Sequence, residues 1–452
     1  MIATIDLRGS TPTPAELLAS VPRALTSVAD AADTAAELIN DVRERGGAAL
    51  LDQAERLDRV RPDQVRVPDH HISDAIAGLD PAVRDAITET IRRVRLASAA
   101  QVPPAVTTTI EDGATINQRW QPVNRVGLYV PGGKAVYPSS VVMNVVPAQV
   151  SGVRSIALAS PPQSHFDGRV HPTILAVAGL LGVTEIYAMG GAGAIGALAY
   201  GAPDIGLEPV QIVTGPGNVY VAAAKRLIRG QVGIDSEAGP TDILVIADAA
   251  ADPLLVAADL VSQAEHDELA AAVLVTDSVE LAHAVEAALA GLAASTTHSE
   301  RVTLALGGAQ SAIVLVDNVQ VAAAFSNAFA PEHLEIQTSD PDAVLESIEN
   351  AGAIFLGAYS PVSLGDYVAG SNHVLPTGGA ARFSSGLGAY TFLRPQQVVR
   401  YTRQALEAVA PHIAALSRAE ALPAHGDAVV ARFDTTEFDT IEFDTIEVAA
   451  KS

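Results

Sequence analysis

From Arg125 onward the chain alternates short apolar runs with longer stretches in which apolar residues recur every three or four positions. Val126–Val130, Ser155–Ser160, Glu185–Met189 and Val210–Thr214 read as strands, while Pro172–Leu181, Ala194–Ala199 and Val219–Ile228 read as helices. The alternation restarts at Asp242, with strands expected over Asp242–Ala247, Ala272–Thr276, Ala312–Val316, Leu334–Gln337 and Ala353–Gly357. Helices are expected over Pro253–His266, Val279–Leu292, Val319–Phe329 and Pro341–Asn350. Such β-α-β alternation with short turns predicts mostly parallel sheets covered by helices. The fold class is therefore α/β, with two Rossmann-like parallel-sheet domains, residues 121–236 and 237–381, flanking a cleft. Upstream, Ala31–Leu57 and Arg84–Ala99 carry an amphipathic helical rhythm, so residues 1–120 read as a mainly helical region packing on the second sheet domain. A small C-terminal segment, 382–430, precedes an acidic tail, 431–452, in which Phe433-Asp-Thr-Thr-Glu437 is followed by two more five-residue copies. The tail reads as disordered and without a catalytic role.

Composition narrows the possible chemistry. A formal net charge of −24, from 28 basic and 52 acidic residues, argues against nucleic acid and anionic membranes as partners. There is no cysteine, which excludes disulfides, thiolate metal sites and a catalytic thiol. Any metal must be held by imidazole, carboxylate, amide or carbonyl groups, and any aldehyde oxidation must proceed without a thiohemiacetal. The first residues, Met-Ile-Ala-Thr-Ile-Asp, lack the pattern of a signal peptide, and the longest uncharged apolar run, near residues 173–183, is too short for a bilayer. A cytoplasmic protein is expected.

Several segments offer reactive groups. Pro131-Gly-Gly, Gly190-Gly191 and Gly215-Pro-Gly-Asn218 each follow an expected strand, where ligands of such folds gather at the carboxyl ends. Free backbone N–H groups there suit an anionic cofactor, yet no Gly-x-Gly-x-x-Gly fingerprint occurs, and tight βα turns explain the glycines equally well. Gln263 and His266, three apart at a helix end, could share a zinc ion or simply face solvent. Glu332 and His333 are adjacent in a helix-to-strand turn and offer a carboxylate and an imidazole for proton transfer, or simply end the helix as solvated polar residues. Asp366 and His373 lie in a glycine-rich segment that is either a site or a surface loop, and Glu420 and His425 stand near the C-terminus, where a lone His ordinarily decorates the surface.

Taken together, these segments resemble the histidinol dehydrogenase family over nearly the whole chain. The matching motifs are Val126-Gly-Leu-Tyr-Val-Pro-Gly-Gly, Thr214-Gly-Pro-Gly-Asn, Ala238-Gly-Pro-Thr, Ser262-Gln-Ala-Glu-His-Asp, Pro331-Glu-His-Leu-Glu-Ile, and Gly365-Asp-Tyr through His373-Val-Leu-Pro-Thr-Gly-Gly. The resemblance implies an NAD-linked, zinc-dependent oxidation of L-histidinol to L-histidine by way of L-histidinal, with two NAD reduced. It implies one Zn2+ per subunit, held by Gln263, His266, Asp366 and His425. Thr241, His333, His373 and Glu420 join these ligands around the substrate, Thr241 standing where many members have Ser. Glu332 and His333 match the family's proton-transfer pair, His333 taking the alcohol proton and Glu332 activating water for the second step. Tyr129 and Asn218 match positions that touch NAD, whereas Gly193 stands where the family commonly has Gln and so removes one contact. The family forms homodimers with shared active sites, the C-terminal segment crossing so that Glu420 and His425 complete the neighbour's site. The alternative is a paralogous zinc- and NAD-dependent dehydrogenase of another polar primary alcohol. A non-catalytic binding protein has no use for Glu332 beside His333, and a zinc hydrolase would turn over without NAD.

Overall fold

The structure is a computed structural model that describes residues 2–23, 28, 30–132, 136–237 and 239–433. The acidic repeat beyond Phe433, together with Gly133 and Ala238 of two glycine motifs, lies outside the described residues. The chain divides into two compact units, residues 1–102 with 122–393, and residues 103–121 with 394–452.

The larger unit holds two parallel sheets. In the first, Arg125–Tyr129 is central, with Ser155–Ser160 and Ile186–Ala188 on one side and Ile212–Thr214 and Gly233–Ile234 on the other. In the second, Asp242–Ala247 lies between Ala271–Thr276 and His333–Gln337. Ala312–Leu315 and Ala3–Asp6 extend the first of these sides, and Ala353–Leu356 closes the other. All six residues of Asp242–Ala247 are buried, as expected of a parallel strand covered on both faces. Its period of two sorts Ile243 and Val245 into one core and Leu244 and Ile246 into another.

Caps fix the helix starts that matter for the site. Asp252 accepts a hydrogen bond from the Leu254 N–H at 2.8 Å and Pro253 follows it, which launches the helix Pro253–Ala264. Asn218 caps Val219–Ile228 in the same way.

Three departures from the sequence pattern have physical causes. The helix expected over Pro341–Asn350 ends at Leu345, and the Asn327 side chain takes the backbone N–H groups of Glu349 and Asn350. The helix Pro138–Ser151 shows no amphipathic rhythm because it is buried along most of its length. The helical N-terminal region does not pack on the second sheet alone. Ile2, Leu17 and Val21 join that sheet's cores, but Ala35, Leu38, Ile39 and Val42 join the first sheet's. The reason is the small-residue helix Gly191–Tyr200, which lets the N-terminal helix come close: a Cβ on Gly196 would lie 3.1 Å from Ile39 and would have to push it back.

The smaller unit contains an antiparallel pair, Val106–Glu111 with Ala114–Pro122, joined by Leu393–Tyr401 as third strand. Helices Arg403–Ala419 and Pro423–Val430 follow. Among the described residues, no helix is long and apolar enough to cross a membrane.

Candidate active site

Glu332 and His333 sit where the helix Val319–Phe329 turns into the strand His333–Gln337, with Ala330 in the left-handed region to make the corner. Both side chains are buried. The His333 Nδ1 lies 3.0 Å from the backbone oxygen of Asp242. A carbonyl only accepts, so Nδ1 carries the hydrogen and Nε2 presents its lone pair as a base. The Asp242 carboxylate accepts the Glu332 N–H at 2.7 Å and pairs with Arg23 at 2.6 Å, which fixes the peptide leading into Glu332.

The Glu332 carboxyl is itself positioned. Its Oε2 accepts from the Thr241 hydroxyl at 2.5 Å and from the Asp242 N–H at 3.1 Å. Two donors on Oε2 leave Oε1 as the oxygen that takes or gives a proton. Burial, with the Asp242 charge nearby, pushes the Glu332 pKa up to about 8. The group is therefore protonated near neutrality and strongly basic once ionised.

Thr241 links this pair to Gln263, whose Nε2 donates to the Thr241 hydroxyl at 2.6 Å. That orientation leaves Gln263 Oε1 buried with no hydrogen-bond partner. An unmatched buried amide oxygen is costly unless something electropositive meets it. His266, just past the helix end, donates from Nδ1 to the Ser262 carbonyl at 3.2 Å and so turns Nε2 outward. A backbone carbonyl behind an imidazole is the usual support of a metal-ligating histidine. The donor set thus fits zinc: an orphaned amide oxygen, a tautomer-fixed imidazole and the Asp366 carboxylate. Among the described residues, no three His, Cys, Asp or Glu side chains converge as a complete metal cluster. Gln263, His266 and Asp366 supply three donors, so a four-donor shell requires a further ligand.

Asp366 lies in the short helix Val362–Tyr367, and His373 follows in the loop. His373 donates from Nδ1 to the Asp366 backbone oxygen at 3.0 Å, and its Nε2 lies 3.0 Å from the Ser140 hydroxyl. Both ring nitrogens therefore already have protein partners. Burial lowers the His373 pKa, and the charges of Asp366, His333 and His266 act on it, as His266 acts on Glu332. The structure thus brings Thr241, Gln263, His266, Glu332, His333, Asp366 and His373 into one electrostatic neighbourhood. Glu420 and His425 belong to the smaller unit and are exposed in the single chain.

The carboxyl-end rule holds for only one of the two sheets. In the second, Thr241, Asp242, Glu332 and His333 all stand at the amino ends of their strands. In the first, the glycine loops do follow the carboxyl ends, and Ser140 and Met143, on the helix after the Tyr129 strand, hydrogen-bond His373 and Asn372. The carboxyl edge of one sheet thereby meets the amino edge of the other.

Tyr129 ends its strand buried, with its hydroxyl accepting the Gly191 N–H at 3.1 Å, and burial pushes its pKa up to about 12. Its own O–H hydrogen remains available as a donor. The Asn218 oxygen is committed to capping Tyr220 and Val221, so only its amide N–H groups are left for a ligand. At Gly193 a Cβ would lie 2.0 Å from Gln53 Oε1, so the space beside this position is filled from another helix. A cavity of about 670 Å3 lined by His71, Asp80, Phe166 and His171 shares no residue with this cluster.

A family model described as histidinol dehydrogenase matches residues 21–433. The chain belongs to the histidinol dehydrogenase family. It is 67% identical to the histidinol dehydrogenase of Leifsonia xyli over 95% of this chain and 99% of that relative. It is 57% identical to that of Mycobacterium tuberculosis over 96% of this chain and 98% of the other. The crystal structure of histidinol dehydrogenase from Elizabethkingia anophelis superimposes with a TM-score of 0.89 at 32% identity, covering 95% of this chain and 98% of that one. Membership in the histidinol dehydrogenase family makes this chain an NAD-linked oxidoreductase with the two-sheet α/β fold.

Asp242, Arg23, Ser140 and the buried pair of Lys225 with Asp235 do not stand out in the sequence as site residues. Asp242 left a signal, a carboxylate opening an otherwise apolar run. Lys225 left a fainter one, a cation directly after three alanines in a helix. Lys225 donates to the Gly215 carbonyl at 3.0 Å and Asp235 accepts the Gly215 N–H at 2.8 Å, so the pair grips both sides of one glycine in the loop. Arg23 and Ser140 left none, because each matters only through a partner more than two hundred residues away.

Proposed function

We propose that this protein oxidises L-histidinol to L-histidine through L-histidinal, with two NAD reduced and one water consumed, and that Glu332 and His333 carry the proton transfers. The observation that carries the reading is the buried dyad: a tautomer-fixed imidazole beside a carboxyl whose free oxygen is Oε1. Nε2 of His333 accepts the alcohol proton in the first step. Oε1 of Glu332, once ionised, removes a proton from the water that hydrates the aldehyde. With no cysteine in the chain, a hydrate rather than a thiohemiacetal enters the second oxidation. NAD supplies the hydride acceptor, beside Tyr129 and Asn218. Zinc, held by Gln263, His266 and Asp366 with His425 from a second copy of the chain, supplies a Lewis acid that orients the substrate. Thr241, His373 and the second copy's Glu420 surround the substrate in this homodimer. Two copies closing one site would keep the aldehyde from escaping between steps.

The test is NADH formed per L-histidinol by the purified protein, before and after chelation. Two NADH per substrate, lost with zinc and regained on its return, is the expected result. No NADH from a folded, zinc-loaded protein would instead favour a paralogous dehydrogenase of another alcohol.

A further inference from the structure

We propose that Glu335 is a positioning residue that ties the helix bearing Asp366 to the strand bearing His333, and so sets the spacing between metal-binding and proton-transfer groups. The inference rests on reading Gln263, His266 and Asp366 as metal ligands.

Glu335 lies two residues after His333 on the same strand, and so on the same face of it, and is 1% exposed. A carboxyl buried in a sheet core is costly unless its oxygens find partners. Its Oε1 accepts the Val362 N–H at 2.9 Å, the first N–H of the helix Val362–Tyr367 that carries Asp366. Its Oε2 accepts from Gln337 Nε2 at 3.0 Å, and that same nitrogen donates to Asp259 at 3.1 Å. Asp259 stands one turn before Gln263 on the helix Pro253–Ala264. The three elements bearing Gln263, His333 and Asp366 thus converge on one buried carboxyl cluster.

The rest of the Asp366 helix is held against the same strand pair. Phe355 is the sheet partner of Glu335, and its ring would lie 2.6 Å from a Cβ on Gly365, so the helix rests directly on it. These contacts fix the height of the helix above the sheet, whereas the bond from Glu335 to Val362 fixes where along the sheet it begins. Burial and the neighbouring Asp259 push the Glu335 pKa upward, so the cluster works with a shared proton and an amide can stand in for Glu335.

The experiment compares the full-length protein with Glu335→Ala, Glu335→Gln, Val362→Pro and Asp366→Ala. It reads the zinc dissociation constant by chelator competition, the melting temperature of the zinc-free protein, and kcat separately from KM for NAD. Val362→Pro deletes the N–H that Glu335 holds and exchanges one buried apolar side chain for another. Proline suits the first position of a helix, and Pro361 before it is already extended, as a residue preceding proline must be. Glu335→Ala and Val362→Pro are expected to weaken zinc binding by about tenfold to a hundredfold. Both should lower kcat while KM for NAD stays unchanged, and Glu335→Gln should recover most of the loss. Wild-type zinc affinity and kcat in Val362→Pro, with zinc lost in Asp366→Ala, would overturn the tie. Wild-type zinc affinity in Asp366→Ala would overturn the ligand reading instead. Should Glu335→Ala fail to fold, Val362→Pro decides alone.

Discussion

At the carboxyl edge of the first sheet, much of the polar surface is backbone: the glycine loops after Tyr129, Ala188 and Thr214, braced from behind by Asn144, Lys225 and Asp235. At the amino edge of the second sheet the groups are side chains, and the backbone holds them, as the Asp242 carbonyl and N–H hold His333 and Glu332. The two edges meet through the bond between Ser140 and His373. A dinucleotide bound through glycine loops needs close approach and fixed N–H directions, which small residues provide. Proton transfer needs a chosen tautomer and a shifted pKa, which only buried side chains with directed partners provide. On the proposed function, the two halves of the unit share an architecture but divide the work.

The largest expected effect falls on the second edge. His333→Asn should lower kcat by about a thousandfold while zinc content stays at the wild-type level. A modest loss, or loss of the metal with it, would remove His333 from the role of base. On the first edge, Gly215 has φ +117°, and a Cβ there would lie 1.9 Å from the Tyr129 oxygen. Gly215→Ala should raise KM for NAD by about thirtyfold, from roughly 2 kcal/mol of strain, and leave zinc affinity alone. Equal damage to both quantities would mean that the edges are not separable.

The pH dependence of kcat/KM tests Glu332 next. As a base it must be ionised, so turnover should climb as pH rises through about 8, by up to about tenfold per unit, and Glu332→Gln should lose that slope. The stability of the zinc-free protein should move the other way. The folded pKa lies above the unfolded value of about 4.3, so the folded state holds the extra proton between the two. The associated stability is complete below about 4.3 and is lost as pH rises through about 8, with a limiting slope of about 1.4 kcal/mol per pH unit. Equilibrium unfolding across that window, wild type against Glu332→Gln, reads it directly. The smallest effect concerns the segment bearing His425. Mixed subunits of His425→Ala and His333→Asn should regain about a quarter of wild-type activity if random heterodimers rebuild one site each. No recovery in confirmed heterodimers would count against shared sites.

Much of the α/β pattern was legible because apolar period and cap chemistry are local. The strand Asp242–Ala247 and the helices Val219–Ile228 and Val319–Phe329 fall where the pattern puts them. The helix Pro138–Ser151 was not legible, since burial on nearly every side erases the polar stripe that marks a helix. In the site, Gln263, His266, Glu332, His333, Asp366 and His373 stand out as residue types in unusual company, and the family's motifs single them out. Glu335 did not stand out, although it lies inside one of those motifs, because a carboxyl in a strand looks solvent-facing until its neighbours are known.

The sequence alone determined the alternation of strands and helices, the absence of thiol chemistry, and the kinds of side chain available for a metal and a proton relay. Each of these depends on spacing of a few residues or on composition. Only the tertiary structure decided that the second sheet uses its amino edge, that Asp242 sets the His333 tautomer, and that Gln263 Oε1 is left without a partner. Those outcomes depend on which strand ends the parallel crossovers bring side by side. Parallel pairing joins residues about ninety positions apart, as it does His333 and Ile243, and no local pattern encodes that pairing.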